Sequence, residues 1–225
     1  TGIGNHALEN NTTGGSNVAV GRYALESNTT ASENTGVGYR AAYENTTGGG
    51  NTAIGTQALD ANSTGANNVA VGHDALKAAT GGEAVAIGYA ALATMTTAVR
   101  NTAVGTEALN ASTTGYNNTA IGYVAGKAII EGYQNTLVGD RAGTAITTGD
   151  NNTAIGQHAL KTATTADANT AIGFDALTLN TSGTRNVAVG ADTLKTVTTG
   201  GYNTAVGSQA MQLHTTGSEN TAIGY

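Results

Sequence analysis

The sequence predicts an all-β chain, a parallel β-solenoid or β-roll with one 17-residue repeat per rung. Three observations predict it. A glycine that follows Ile or Val recurs fourteen times, from Gly4, Gly21, Gly38 and Gly55 through to Gly224, and twelve of the thirteen intervals are 17 residues. β-Branched residues alternate at period two before that glycine, which is strand patterning. Large side chains are scarce: Gly, Ala, Thr and Asn fill 136 of 225 positions, aromatics make up 4% and there is no Trp, Pro or Cys. A bulky layered core, in which each large buried side chain contributes about 1.5–3 kcal/mol, is therefore unavailable.

The repeat reads roughly N-[TV]-A-[IV]-G-x-x-A-L-x-x-x-T-T-G-x-x. Its first five residues form the strand. The glycine, as at Gly55, Gly72, Gly105 and Gly122, makes the bend, because only glycine adopts positive φ freely. A second short stretch carries Ala and Leu, as in Leu59, Leu76, Leu92 and Leu109, and is expected to be mostly buried. A Thr-Thr-Gly turn closes the rung. The one 16-residue interval, Gly72 to Gly88, should appear as a shortened turn near Thr80-Gly81-Gly82. An α-solenoid needs two helices and usually about 30 or more residues per repeat, which this unit cannot supply. The array fills residues 1–225 as a single unit of about 13 rungs, on the order of 60 Å at the β spacing. Both ends fall inside a repeat, so the chain reads as a segment of a longer fibre.

None of the 24 charged residues falls between the Asn and the Gly of the strand, or at the following Ala and Leu. Burial excludes charge in this way. The core is therefore expected to run through Ile54, Val71, Ile87, Val104, Ile121, Ile155 and Ile172, with the Thr/Val column beside it. Asn, Ala and Gly of the same strand then point outward. That outward column stays small and neutral, the core is thin and no disulfide is available, so a self-associated rod is expected, specifically a parallel trimer. Leu137, which breaks the Ala column, should then mark a gap or an apolar plug between chains.

A net charge of −6 argues against nucleic acid as partner, and the absence of an 18-residue apolar run argues against membrane insertion of this segment. His6, His73, His158 and His214 do not stack in register, so no metal site is expected, and no cofactor motif occurs. Asp175 and Asp192 lie one rung apart, about 5 Å along the stack, with Thr193 and Lys195 beside them. No insertion builds a pocket around them, and no enzyme activity is expected. Tyr39, Tyr89, Tyr123 and Phe174 all follow the bend glycine and are candidate surface contacts to sugars. Thr-Thr columns such as Thr12-Thr13 and Thr46-Thr47 raise an ice-binding alternative. Adjacent Thr residues point to opposite faces, however, and a Thr before Gly more often closes a turn.

The segments Asn51-Thr52-Ala53-Ile54-Gly55 and Ser16-Asn17-Val18-Ala19-Val20-Gly21 resemble the head repeat of YadA-type trimeric autotransporter adhesins. The longer unit around Asn118-Thr119-Ala120-Ile121-Gly122 is similar to arrays in phage tail-fibre-like proteins. The resemblance covers the whole chain. It implies a left-handed β-roll in each of three chains, and a structural or adhesive fibre on a bacterial surface or a virion. Its partners would be further copies of itself and a cell-surface glycan or protein receptor. A fibre-borne carbohydrate-active protein is the enzymatic alternative.

Overall fold

The computed structural model describes residues 1–225 and contains fourteen short strands and no helix. These are β1 (Gly2–Ile3), β2 (Val18–Val20), β3 (Thr35–Val37), β4 (Thr52–Ile54), β5 (Val69–Val71), β6 (Val85–Ile87), β7 (Thr102–Val104), β8 (Thr119–Ile121), β9 (Thr136–Val138), β10 (Thr153–Ile155), β11 (Thr170–Ile172), β12 (Val187–Val189), β13 (Thr204–Val206) and β14 (Thr221–Ile223). Two compact units divide them: Thr1–Thr114 holds β1–β7 and Gly115–Tyr225 holds β8–β14. Within each unit, consecutive strands pair in parallel, one strand per repeat, which makes each unit a β-solenoid.

Residues one repeat apart stack as expected, Val37 on Ile54 and Ile54 on Val71. The short interval leaves this register intact, with Val69 opposite Val85 and Val71 opposite Ile87. Its missing residue is taken from the turn, where the N–H groups of Thr80 and Gly81 both donate to the Thr96 carbonyl, at 2.9 and 2.8 Å.

The inward and outward faces are the reverse of the sequence expectation. Ala53, Ala70, Ala86, Ala103 and Ala120 are fully buried. Ile54, Ile87, Ile121, Ile155 and Ile172 are 36–41% exposed, and Val71 and Val104 are half-buried. The interior explains the inversion. The Leu column of the opposite wall, including Leu25, Leu59, Leu76 and Leu109, is fully buried and already fills the coil. A Cβ placed on Gly36, in the Ala column, would lie 3.2 Å from Leu25 Cγ. Facing Leu there is room for Ala or Gly only, so the β-branched residues turn outward.

The Asn column also turns inward, where its side chains form a ladder. Asn135 Oδ1 accepts from the N–H and Nδ2 of Asn152, at 3.0 and 3.1 Å, and Asn135 Nδ2 donates to Gly149 O at 2.9 Å. Asn152 repeats the pattern with Asn169. A shorter ladder, Asn28, Asn45 and Asn62, runs down the far wall of the first unit. Most of the buried amide groups are thereby paired with backbone and with a neighbouring rung, as burial demands; Asn62 Oδ1, at the end of the shorter ladder, is left without a partner.

Between bend and turn the chain is not extended. Leu59 at φ 56° and Gln57 at φ 56° are left-handed, as are the equivalent residues of other rungs. This costs a non-glycine residue roughly 1–2 kcal/mol. The alternation turns successive N–H groups toward opposite neighbours: Gln57 N–H donates to Tyr39 O of the rung before, and Leu59 N–H to Ala75 O of the rung after. Full burial of Leu59 then offsets the strain. The bend glycine has no substitute. Gly55 has φ +135°, and a Cβ there would lie 2.5 Å from Gly72 O.

Leu137 lies inside the coil, fully buried, and not on an outer face. Its rung carries Gly143 where the Leu column would place a leucine, and a Cβ on Gly143 would lie 2.7 Å from Leu137 Cδ2. Leu137 and Ile146, whose Cδ1 would lie 2.9 Å from the same Cβ, together fill the space that a leucine would take.

Candidate functional site

Each unit presents three outward surfaces, and none is enclosed. The first is the strand face. There Thr or Val three before the glycine alternates with Ile or Val just before it, ten Thr and four Val in the first column, with Ile or Val throughout in the second. In the second column, Ile54 and Ile87 in the first unit and Ile121 and Ile155 in the second are about two-fifths exposed. Between them the column carries half-buried Val, as at Val71 and Val104.

The second surface is the ridge just past the bend. Tyr39, Tyr89, Tyr123 and Phe174 stand on it at 44, 54, 50 and 48% exposure. The sequence singled out all four. It did not foresee their neighbours. Tyr23 stacks on His6 at 5.1 Å and meets Tyr39 and Tyr43 edge-on at 6.1 and 6.2 Å. Arg22 lies over the Tyr23 ring and Arg40 over the Tyr43 ring. Arg40 also makes a two-point bond with Asp60, at 2.9 and 3.1 Å, and Asp60 is the one charged residue that is buried. His6, Glu9 and Glu26 bring one ligand-type atom each within 4.8 Å of the others, with His6 Nδ1 2.6 Å from Glu9. The sequence compared His6 only with the other histidines and so missed this local group.

Asp175 and Asp192 sit on the same ridge with Lys195 between them, 2.9 Å from the first and 2.8 Å from the second. His158 Nδ1 lies 3.1 Å from Asp175. Partial burial opposes ionisation of Asp175, but the hydrogen bonds from Lys195 and His158 outweigh it and hold its pKa below the ordinary carboxylate value. The bonds that Lys195 donates to Asp192 and Asp175 hold its ammonium above its usual value. The carboxylates are therefore tied into an ion network.

The third surface is the opposite turn. Tyr116 and Tyr133 stack in parallel at 5.1 Å, and a shallow depression of about 160 Å³ is lined by Asp167, Ala168, Thr184 and Arg185. The first Thr of each Thr-Thr pair ties rungs together: Thr12, Thr29 and Thr46 hydroxyls donate to carbonyls one repeat on. No helix is long and apolar enough to cross a membrane. Comparison of the chain with family models, curated proteins and solved structures gives no match.

Proposed function

We propose that this chain is a repeat segment of an extracellular structural and adhesive fibre, assembled as a parallel homotrimer of left-handed coils. The observation that carries the reading is the outward Thr/Val and Ile/Val ribbon. An interface face should be continuous and free of charge, and this ribbon is both, with one column wholly Ile or Val and the other Thr or Val. A second copy of the same chain has the same rung period, so every Ile finds an equivalent partner in register. An unrelated partner would lose register after a few rungs. Covering the exposed part of one Ile contributes about 1 kcal/mol, which accumulates over the seven strands of a unit. Likeness of the repeat to YadA-type heads and tail-fibre arrays supports three chains, a left-handed roll and a place on a bacterial surface or virion. Adhesion then belongs to the fibre's exposed ridges and tip, and no catalytic role is assigned to the segment.

Light scattering on the purified chain tests the assembly. The expected mass is three times the 22.2 kDa of one chain. A folded monomer over the whole working concentration range would contradict it. One observation favours a second reading: the outward ribbon carries one column that is Thr in ten of fourteen repeats, and an outward Thr array on a β-solenoid can match ice. A monomer that also lowers the freezing point non-colligatively and shapes ice crystals would establish that reading in place of the trimer.

A further inference from the structure

The exposed rings of the ridge are neither random in spacing nor loosely held. Tyr39 follows β3 and Tyr89 follows β6, three strand steps apart; Tyr123 follows β8 and Phe174 follows β11, again three steps. Tyr225 follows β14 after three more. At about 4.8 Å per step, each pair of neighbouring rings within a unit is about 14 Å apart along the stack. Each of the first four is braced from an adjacent rung: Tyr39 by Tyr23 at 6.1 Å, Tyr89 by His73 at 5.7 Å, Phe174 by His158 at 6.3 Å and Tyr123 by the Arg141 guanidinium at 5.4 Å. About half of each ring remains open to solvent.

We propose that this ridge binds a neutral polysaccharide lying along the stack, with a sugar ring on an aromatic side chain at every third rung. The C–H bonds on one face of a pyranose are weakly positive and suit the negative face of an aromatic ring. An extended polysaccharide advances by about the length of one sugar ring per unit, close to one rung of about 4.8 Å. A sugar therefore falls on an aromatic ring about every third unit, and the sugars between lie over Gln57 and Asp74 in the first unit and Asp140 and Gln157 in the second. Those side chains offer hydrogen bonds to hydroxyl groups. On the ridge Asp74 pairs with Lys77, Asp140 with Arg141, and Asp175 and Asp192 with Lys195, so its cations are already neutralised, and the chain is at −6, so a polyanion is disfavoured. The surface has no walls to enclose a monosaccharide. Affinity comes from several linked weak contacts and so depends on polymer length. The inference deepens the adhesive reading by naming a ligand class, and it holds for any number of chains in the assembly.

The test is affinity electrophoresis of the intact chain through gels containing hydroxyethylcellulose, mannan, xylan or β-1,3-glucan, with polygalacturonate as the charged control. The expected result is retardation by at least one neutral polymer and none by polygalacturonate. Tyr39→Ala with Tyr89→Ala, and Tyr123→Ala with Phe174→Ala, should each weaken binding at least fivefold. Tyr116→Ala with Tyr133→Ala, on the opposite turn, should change it less than twofold. Calorimetry with oligomers of the retarding polymer should show that four or more sugars, enough to span two rings, bind at least tenfold more tightly than two. Light scattering on the same samples reports the assembly separately, so loss of the trimer and loss of binding are distinguishable. Lack of retardation in every neutral gel, equal retardation of ridge and control variants, or affinity independent of oligomer length would each overturn the proposal.

Discussion

Asp175 is the point on the ridge where charge and burial meet. Its side chain is 13% exposed, while its partners Lys195 and His158 are 33% and 23% exposed. Its pKa is lowered on folding, so its contribution to stability is present above the ordinary carboxylate value of about 4. That contribution is lost as pH falls through the lowered folded value. Lys195 is shifted the other way; its contribution is complete below its ordinary value and lost only in strong alkali. The acid limb therefore belongs to the carboxylate. Asp175→Asn should destabilise the fold by about 1 kcal/mol at neutral pH, the partners being partly solvated. Urea midpoints at neutral pH and near pH 2 check this. The gap between variant and wild type should close in acid, and an unchanged gap would show that the ion network contributes nothing.

At the scale of the strand, one parity choice decides what is core and what is surface. A three-residue strand carries two β-branched residues on one face and one small residue on the other. Alternation alone says that the faces differ, and a shift of one residue exchanges them. Repeat length, strand position, the bend glycine, the Leu column and the shortened turn were all legible, because each leaves a mark in one repeat that the next one copies. The direction of the faces was not, because hydrophobicity favours Ile over Ala for a core, whereas the room opposite Leu25 admits only Ala or Gly. The inward Asn ladder was missed for the same reason: its partners are identical residues one repeat away. The two faces respond differently to charge. Ala120→Lys puts an unpaired ammonium in the coil and should cost about 3–5 kcal/mol of folding free energy. Ile121→Asp sits on the outer ribbon and should leave single-chain secondary structure intact while lowering the assembled mass. Circular dichroism melts and light scattering on both variants separate the outcomes, and the reverse result would restore Ile121 to the core.

For the molecule as a whole, nearly all packing is between one repeat and the next, in each of the two units. Such an array has stability that grows with the number of rungs. It also depends little on any single long-range contact. The ribbon repeats in every rung, whereas the ridge repeats its exposed ring only at every third, so a partner of the one is matched rung by rung and a partner of the other over three rungs. The 16-residue interval shows where the pattern tolerates change, since the strand pairing on either side of it is undisturbed.

Sameness carries a hazard during folding. A strand displaced by one whole repeat finds the same partners, the same faces and the same hydrogen bonds, so the chain needs a way to count. The exchange of bulk between Leu137 and Gly143 supplies it. Leucine in the alanine column needs a rung whose opposite wall has given up its own leucine: slid one place forward it meets Leu160, and of the two neighbouring rungs only the one before, with Gly126, has also given it up. Leu137→Ala alone should cost about 2–5 kcal/mol through the cavity it leaves. A Cβ on Gly143 would also lie 2.9 Å from Ile146 Cδ1, so Leu137→Ala with Gly143→Leu and Ile146→Ala is the variant that reproduces the next rung, with its Ala154, Leu160 and Ala163, and it should recover most of that in equilibrium unfolding. The triple variant should nevertheless refold to less native protein than wild type, with misaligned species visible by native gel, because the rung that fixed the count has become like the one that follows it.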